Sequence, residues 1–339
     1  MNVLISIIIP AYNCADVLEK AVNSVIKNIS NSNENEIEIL IVENGSTDNT
    51  TEVAERLEIQ YPYIRVLHSS KGVSNARNKG IQEASGTWIV FLDADDEFSG
   101  DGIDILLKDA QNEQADICFY GHMNGKEARL ICNNEQVYKG THLDKCKIMM
   151  LSNPTWYFTV WAKLIRRTLI VDNGITFNSN LRLAEDGDFL LQCLTKSRCV
   201  VLKKEIIYHY IVSGTSTMRS FDGNKIKDYI IAMNESIKVV KNASIEVKEA
   251  FSIYILMHLN IAMVRENYSF NNPSSFFEKY KKMCKVIKEP TFEHAIQKTK
   301  INQCFSPRML PILCFKLHFN FGASMIYCIR ALQNHLKER

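Results

Sequence analysis

Asp93 and Asp95 stand one residue apart, with Asp96 and Glu97 directly behind them. Acids this close repel one another unless a positive charge sits among them. Two carboxylates separated only by Ala94 can reach one hard cation. Mg²⁺ and Mn²⁺ are bound in this way, through one or two carboxylates plus the phosphates of a substrate. A solvated loop whose Asp caps the next helix uses the same residue types, so the pair by itself decides little. A second acidic stretch, Glu185-Asp186-Gly187-Asp188, runs into Phe189. A carboxylate there can act as a general base, or it can merely favour a helix N-terminus through the backbone dipole.

The elements that must position these acids are readable from apolar patterning. Trp88 to Leu92 is unbroken apolar or aromatic sequence, as in a strand buried on both faces. Residues 3–9 and 37–43 are similar runs, and 64–67 is a shorter one. Val17, Leu18, Ala21, Val22, Val25 and Ile26 recur at helical spacing after the first run. Asp48 opens a second helix through Val53, Ala54 and Leu57, and Lys71 to Gly80 opens a third. Strand, loop and helix repeated three times predict an open parallel α/β sheet. Ligands in such sheets bind beyond the carboxyl ends of the strands. Tyr12, Glu43, Asn44, Asn75, Arg77, Asp93 and Asp95 all fall at such ends. Neither Gly-x-Gly-x-x-Gly nor Gly-x-x-x-x-Gly-Lys-Ser/Thr is present. A dinucleotide fingerprint and a P-loop are therefore excluded, and a diphosphate would be neutralised by a carboxylate-held metal instead.

The chain has 339 residues, 46% of them hydrophobic, enough for one large domain or two smaller ones. Its net charge of +2 says little about partners, and nothing in it suggests nucleic acid. Ten cysteines without a Cys-x-x-Cys pair fit a reducing compartment rather than a zinc site. The N-terminus lacks a basic region and Pro10 ends its apolar run, so no signal peptide is expected. No apolar stretch is expected to reach the roughly 18 residues of a spanning helix. A cytoplasmic location follows.

Four segments together carry a resemblance. Ser6-Ile7-Ile8-Ile9-Pro10-Ala11-Tyr12-Asn13, Val42-Glu43-Asn44-Gly45-Ser46-Thr47-Asp48, Gly72-Val73-Ser74-Asn75-Ala76-Arg77-Asn78 and Phe91-Leu92-Asp93-Ala94-Asp95-Asp96 have the order and spacing of family-two glycosyltransferases. The resemblance covers residues 1 to about 215. It implies a GT-A type open, mostly parallel α/β sheet with flanking helices, and an inverting, metal-dependent transfer from a nucleotide-sugar donor. By position it implies that Pro10, Ala11 and Tyr12 line the base and that Glu43 contacts the base or ribose. Asn75 and Arg77 would lie near the nucleotide. Asp93 would touch ribose or metal, Ala94 would border the same site, and Asp95 would bind Mn²⁺ or Mg²⁺ directly. Asn44 departs from the second acid many members carry, which leaves UDP as the expected nucleotide on weaker ground. Asp186 would be the catalytic base, with Glu185 beside it or at the acceptor. Trp161 or Trp156 would face the acceptor. Tyr208-His209-Tyr210 resembles a tail that often continues with Arg, where this chain has Ile211. His209 is thus a candidate metal or diphosphate contact, with Ser213, Ser216 and Arg219 as further members of that tail.

From about residue 221 the chain reads as a helical C-terminal region, set off from a catalytic domain at 1–220. Residues 271–339 hold twelve Lys or Arg against four Glu. Basic, apolar-faced helices lie on membrane surfaces, here the inner face of the plasma membrane, or cap a second subunit in a homo-oligomer. The acceptor expected from the resemblance is a glycan or lipid-linked glycan in surface polysaccharide synthesis. A nucleotidyltransferase and a non-catalytic sugar-nucleotide-binding scaffold are the competing readings. The first calls for a Gly-rich basic loop after the first strand, where Pro10-Ala11-Tyr12-Asn13 stands.

Overall fold

The computed structural model describes residues 3–27, 29, 34–112, 114–211 and 221–337. The chain divides into two compact units. The first comprises Met1–Cys146, Trp156–Asn180 and Glu185–Ser213, and the second Lys147–Thr155, Leu181–Ala184 and Gly214–Arg339. Two short segments inside the expected 1–220 domain thus belong with the C-terminal helices.

The first unit is built on one mixed sheet. Its strands are β1 (Ile5–Ala11), β2 (Ile37–Glu43), β3 (Ile64–His68), β4 (Trp88–Phe91), β5 (Glu97–Phe98), β6 (Ile117–Asn124), β7 (Glu127–Arg129), β8 (Gln136–Lys139), β9 (Lys163–Arg166) and β10 (Cys199–Tyr210). The order is β3-β2-β1-β4-β9-β6-β10-β5, with β7 on β6 and β8 on β10. The first four strands pair in parallel. These four strands are the open parallel α/β sheet the patterning anticipated. β2 is buried along its whole length, which is why its sequence shows no polar alternation.

Two features of the sheet escape the apolar pattern. β9 runs antiparallel between β4 and β6, although its sequence Lys-Leu-Ile-Arg is half cationic. β10 is twelve residues long and pairs with β6, β8 and β5 at once. Its lower half carries Val200, Val201 and Leu202 into the core, and its upper half delivers Tyr208 to the end of β4.

The helix Val73–Glu83 lies against β1, and Gly80 makes that approach possible. A Cβ at Gly80 would sit 2.4 Å from Cγ2 of Ile8. Arg77, one turn earlier on the same helix, is brought to the sheet by this contact.

The C-terminal unit is helical. The helix Ile245–Ala262 continues through a π-turn to Asn267. By length and composition this span could cross a membrane, which corrects the expectation that no stretch approaches that length. Of its most apolar window, 83% is buried inside the protein, so packing already accounts for the apolarity.

Gly80→Ala is expected to lower stability by about 1–3 kcal/mol through overpacking against Ile8, despite the better helix propensity of Ala. Urea unfolding of the two proteins measures the difference.

Candidate active site

Arg77 links the two acidic stretches. Its Nη2 donates to Asp93 Oδ1 at 3.0 Å, and its Nη1 to Asp186 Oδ1 at 2.6 Å and Glu185 Oε1 at 3.4 Å. These partners lie 16, 109 and 108 residues away in sequence. The guanidinium is 3% exposed and rests 5.3 Å from the centre of the Phe177 ring. Phe177 stacks on Phe189 at 4.0 Å, and Phe91 meets both rings edge-on. One aromatic cluster therefore fixes the strand before Asp93, the helix Glu185–Lys196 and the floor beneath Arg77.

The charges around Arg77 do not cancel, since three carboxylates face one guanidinium. Burial opposes the Arg77 charge, but Asp186, Asp93 and Glu185 outweigh it and hold the group protonated above its ordinary range. Burial raises Asp93, and the Arg77 charge only partly reverses the rise. Burial, then the neighbouring Asp186 charge, raises Glu185. The site thus has a deficit of positive charge that a divalent cation would fill.

Asp95 is exposed and has no hydrogen-bond or ion-pair partner among the described residues. Asp93 uses Oδ1 for Arg77. Together they offer open carboxylate oxygen to a hard cation, so these residues fit Mn²⁺ or Mg²⁺. His209 does not join them. β10 pairing sets it opposite Glu97 and Met123, and its Nε2 lies 3.1 Å from the Gly125 carbonyl. Among the described residues no three His, Cys, Asp or Glu side chains form a set that could hold a metal, which corrects the expected Asp93–Asp95–His209 triad. Ser213, Ser216 and Arg219 lie outside the described residues.

The remaining expected donor contacts gather at the ends of β1 and β2. Ala11 pairs with Glu43, and Pro10 with Val42. Tyr12 is exposed, with Lys71 Nζ 4.7 Å from its ring centre. Asn75 Nδ2 donates to the Lys71 carbonyl at 2.9 Å and steadies that loop. Glu43 Oε1 accepts from Ser46 N–H, and its Oε2 lies 3.3 Å from His68 Nδ1. The Glu43 carboxylate therefore also shapes its own loop. Asn44 Oδ1, Ser74 Oγ and Arg77 Nε are buried without a partner among the described residues, leaving hydrogen-bonding capacity for a ligand.

Trp161 is committed to packing. It stacks on Tyr208 at 4.7 Å and Tyr210 at 5.9 Å, meets His122 edge-on and is 9% exposed. It forms an inner wall beside the end of β10. Arg129 lies over Trp156, 5.8 Å from the ring centre.

Sequence reasoning named Tyr208 only within a tail motif and gave Lys163 and Lys71 no part in the site, yet the structure places all three here. Tyr208 donates to Asp96 Oδ2 at 2.7 Å and accepts from Asp93 N–H at 3.2 Å, bracing the Asp93–Asp96 turn. Lys163 is buried, donates to the Trp161 carbonyl at 3.1 Å, and is pushed down to about 7 by burial against the pull of Asp186. Lys71 covers Tyr12. An isolated Tyr or Lys in sequence carries no sign of these long-range partners.

Replacing Arg77 with Met leaves three carboxylates without their cation. The loss of stability should be about 3–5 kcal/mol, measured by urea unfolding, and should grow as pH rises and the acids ionise. Asp96 gives a second pH signature. Burial pushes it up to about 7 from 3.8. Between those values the folded chain binds more protons than the unfolded one, so its contribution to stability falls as pH rises towards 7. Asp96→Asn should flatten that fall when unfolding is compared at mildly acidic and mildly alkaline pH.

Comparison with known proteins agrees with this geometry. The family described as glycosyl transferase family 2 matches residues 6–170, which contain the first three strand-end motifs and the Asp93–Asp95 turn. The glycosyltransferase EpsJ of Bacillus subtilis (strain 168) is 28% identical over 315 residues, covering 86% of this chain and 88% of that protein. YibD of Escherichia coli (strain K12), also described as a glycosyltransferase, is 30% identical over 235 residues, 66% of each chain. The fold is similar to that of S. aureus TarS 1–349 in complex with UDP-GlcNAc. The TM-score is 0.70 at 17% identity, over 96% of this chain and 90% of that one. Motifs, sheet order and relatives converge, and the chain belongs to glycosyl transferase family 2.

Proposed function

We propose that this enzyme is a metal-dependent inverting glycosyltransferase that moves a hexose from a UDP-linked donor to a hydroxyl of a surface glycan. One observation carries the reading: a single buried side chain, Arg77, holds both the Asp93 turn and Asp186. Those are the groups that the donor diphosphate and the acceptor hydroxyl would need. Two relatives support the substrate classes. TarS was solved with UDP-GlcNAc, and a poly(ribitol-phosphate) beta-glucosyltransferase from Bacillus spizizenii is 25% identical over 249 residues.

In this mechanism the acceptor oxygen attacks the anomeric carbon while the bond from that carbon to the diphosphate oxygen breaks. Asp186 takes the hydroxyl proton. Arg77 Nη1 and the Val160 N–H, 3.4 Å from Asp186 Oδ2, fix the carboxylate for that task. Glu185 shares the same guanidinium and borders the acceptor side. Asp93 and Asp95 would hold Mn²⁺ or Mg²⁺, which offsets the charge growing on the departing diphosphate. Tyr12, Ala11 and Asn75 would border the nucleotide.

The C-terminal unit supports a location at the inner face of the plasma membrane. Phe321, Met325, Ile329, Leu332 and Leu336 are exposed at three- and four-residue steps along the helix Asn320–Lys337. They form one apolar stripe in a region with a threefold excess of cations over acids. An acceptor carried on a lipid would meet the enzyme at such a surface.

The central test is a screen of nucleotide sugars for Mn²⁺-dependent release of free nucleotide. Chelation should abolish release, and Asp186→Asn should lower kcat by about 10²–10⁴ while leaving UDP binding intact. Near-normal turnover in Asp186→Asn overturns the base assignment. For the membrane, Ile329→Glu with Leu332→Glu should abolish co-sedimentation with anionic vesicles. A concentration-dependent dimer lost in the same variant would instead assign the stripe to a second copy.

A further inference from the structure

The C-terminal unit contains a cavity of about 540 Å³ that the transfer mechanism does not use. The helix Ile245–Ala262 and its continuation to Asn267 form one side. The turn Pro307–Met309 and the helix Asn320–Lys337 form the others. Arg265, Arg308 and Arg330 all line it, with Gln333 and Asn334 beside them. No lining residue is acidic.

Cations grouped around one space repel, and something must hold them there. Arg330 donates to the carbonyls of Pro307 and Arg308, and Arg308 Nη1 donates to Thr155 Oγ1 at 3.2 Å. Neither arginine has a carboxylate partner among the described residues. The turn that carries Arg308 is itself fixed from the core. Asn260 Nδ2 donates to the Arg308 carbonyl at 3.0 Å, and buried Tyr327 donates to Asn260 Oδ1 at 2.6 Å. Two guanidinium groups are thus positioned at one opening by neutral oxygens, with their charge uncompensated. Burial also disfavours the charge on Arg330, which an anion in the cavity would relieve.

We propose that this cavity binds a phosphate ester, with the phosphoryl group between Arg308 and Arg330 and its sugar or polyol along Ile261 and Val264. Paired guanidinium forks match phosphate oxygens in number and geometry. The volume suits a small organic ligand and exceeds what a bare phosphate fills. The side-chain amides of Gln333 and Asn334 suit hydroxyl groups on the attached body. The ester could come from a soluble sugar or polyol phosphate or from a lipid headgroup. The proposal stands whether or not the transferase reading does, because none of its residues belongs to that site.

The test is calorimetry on the full chain with chelator present, which removes the metal that diphosphate binding at Asp93 and Asp95 would need. Glucose 1-phosphate and sn-glycerol 3-phosphate are the soluble probes, monomeric short-chain phosphatidic acid is the lipid probe, and glucose is the phosphate-free control. Saturable binding of a phosphate probe is expected, weakened about tenfold in Arg308→Gln and unchanged in Asp95→Asn. Binding of the lipid probe alone, with the same Arg308 dependence, identifies the headgroup as the source. Arg330 also anchors a turn, so Arg330→Gln is read only if its melting temperature is kept; Arg308→Gln carries the test otherwise. No saturable binding by any probe, or equal binding by wild type and Arg308→Gln, overturns the proposal.

Discussion

The active site depends on one buried guanidinium. Arg77 is the only described cation in hydrogen-bond contact with Asp93, Glu185 and Asp186. These acids come from a strand end and a distant helix start, and like charges in a low-dielectric setting would drive both elements apart. A lysine could not serve equally, because Arg77 uses separate nitrogens of a rigid fork for the two stretches. The fold supplies what this requires. Gly80 lets the helix sit close on β1, and the Phe91–Phe177–Phe189 cluster shields the guanidinium from water.

The same network leaves the site with more carboxylates than its one guanidinium can pair. Raised Asp93 and Glu185 show that the protein alone does not fully stabilise its own negative charge. Tyr208 limits how far the acidic turn can shift. Its hydroxyl sits between Asp93 N–H and Asp96, and its ring is clamped by Trp161 and Phe98. The aromatic residues of β10 and Trp161 therefore hold the acidic turn rigid through backbone, hydroxyl and ring contacts.

The C-terminal unit follows a different logic. Its long apolar helix is consumed by packing, while its last helix is apolar on an outward face as well. Arg308 and Arg330 line a cavity there and are held by neutral oxygens among the described residues.

Much of the first unit was legible in the chain itself. β-branched runs marked β1 to β4 because strands buried on both faces tolerate no polar alternation, and the polar residues at their ends marked the site. Asp48 read as a helix cap; it accepts from the Thr50 N–H two residues on, which local sequence can specify, and from the Ala15 N–H 33 residues back, which it cannot. The sequence did not disclose β9, because a four-residue strand with a cation at each end has no period to detect. It left the packing of Trp161 open, since an aromatic ring suits a sugar face and a core stack equally until its neighbours are known. Residue types and spacing alone determined the parallel strands β1 to β4 and the carboxylates that could do chemistry, and the resemblance of four motifs added the family. Only the tertiary structure decided that Arg77 joins Asp93 to Asp186, that His209 stays with Gly125, and that Lys163 is buried, because those outcomes depend on contacts between residues that chain order keeps far apart.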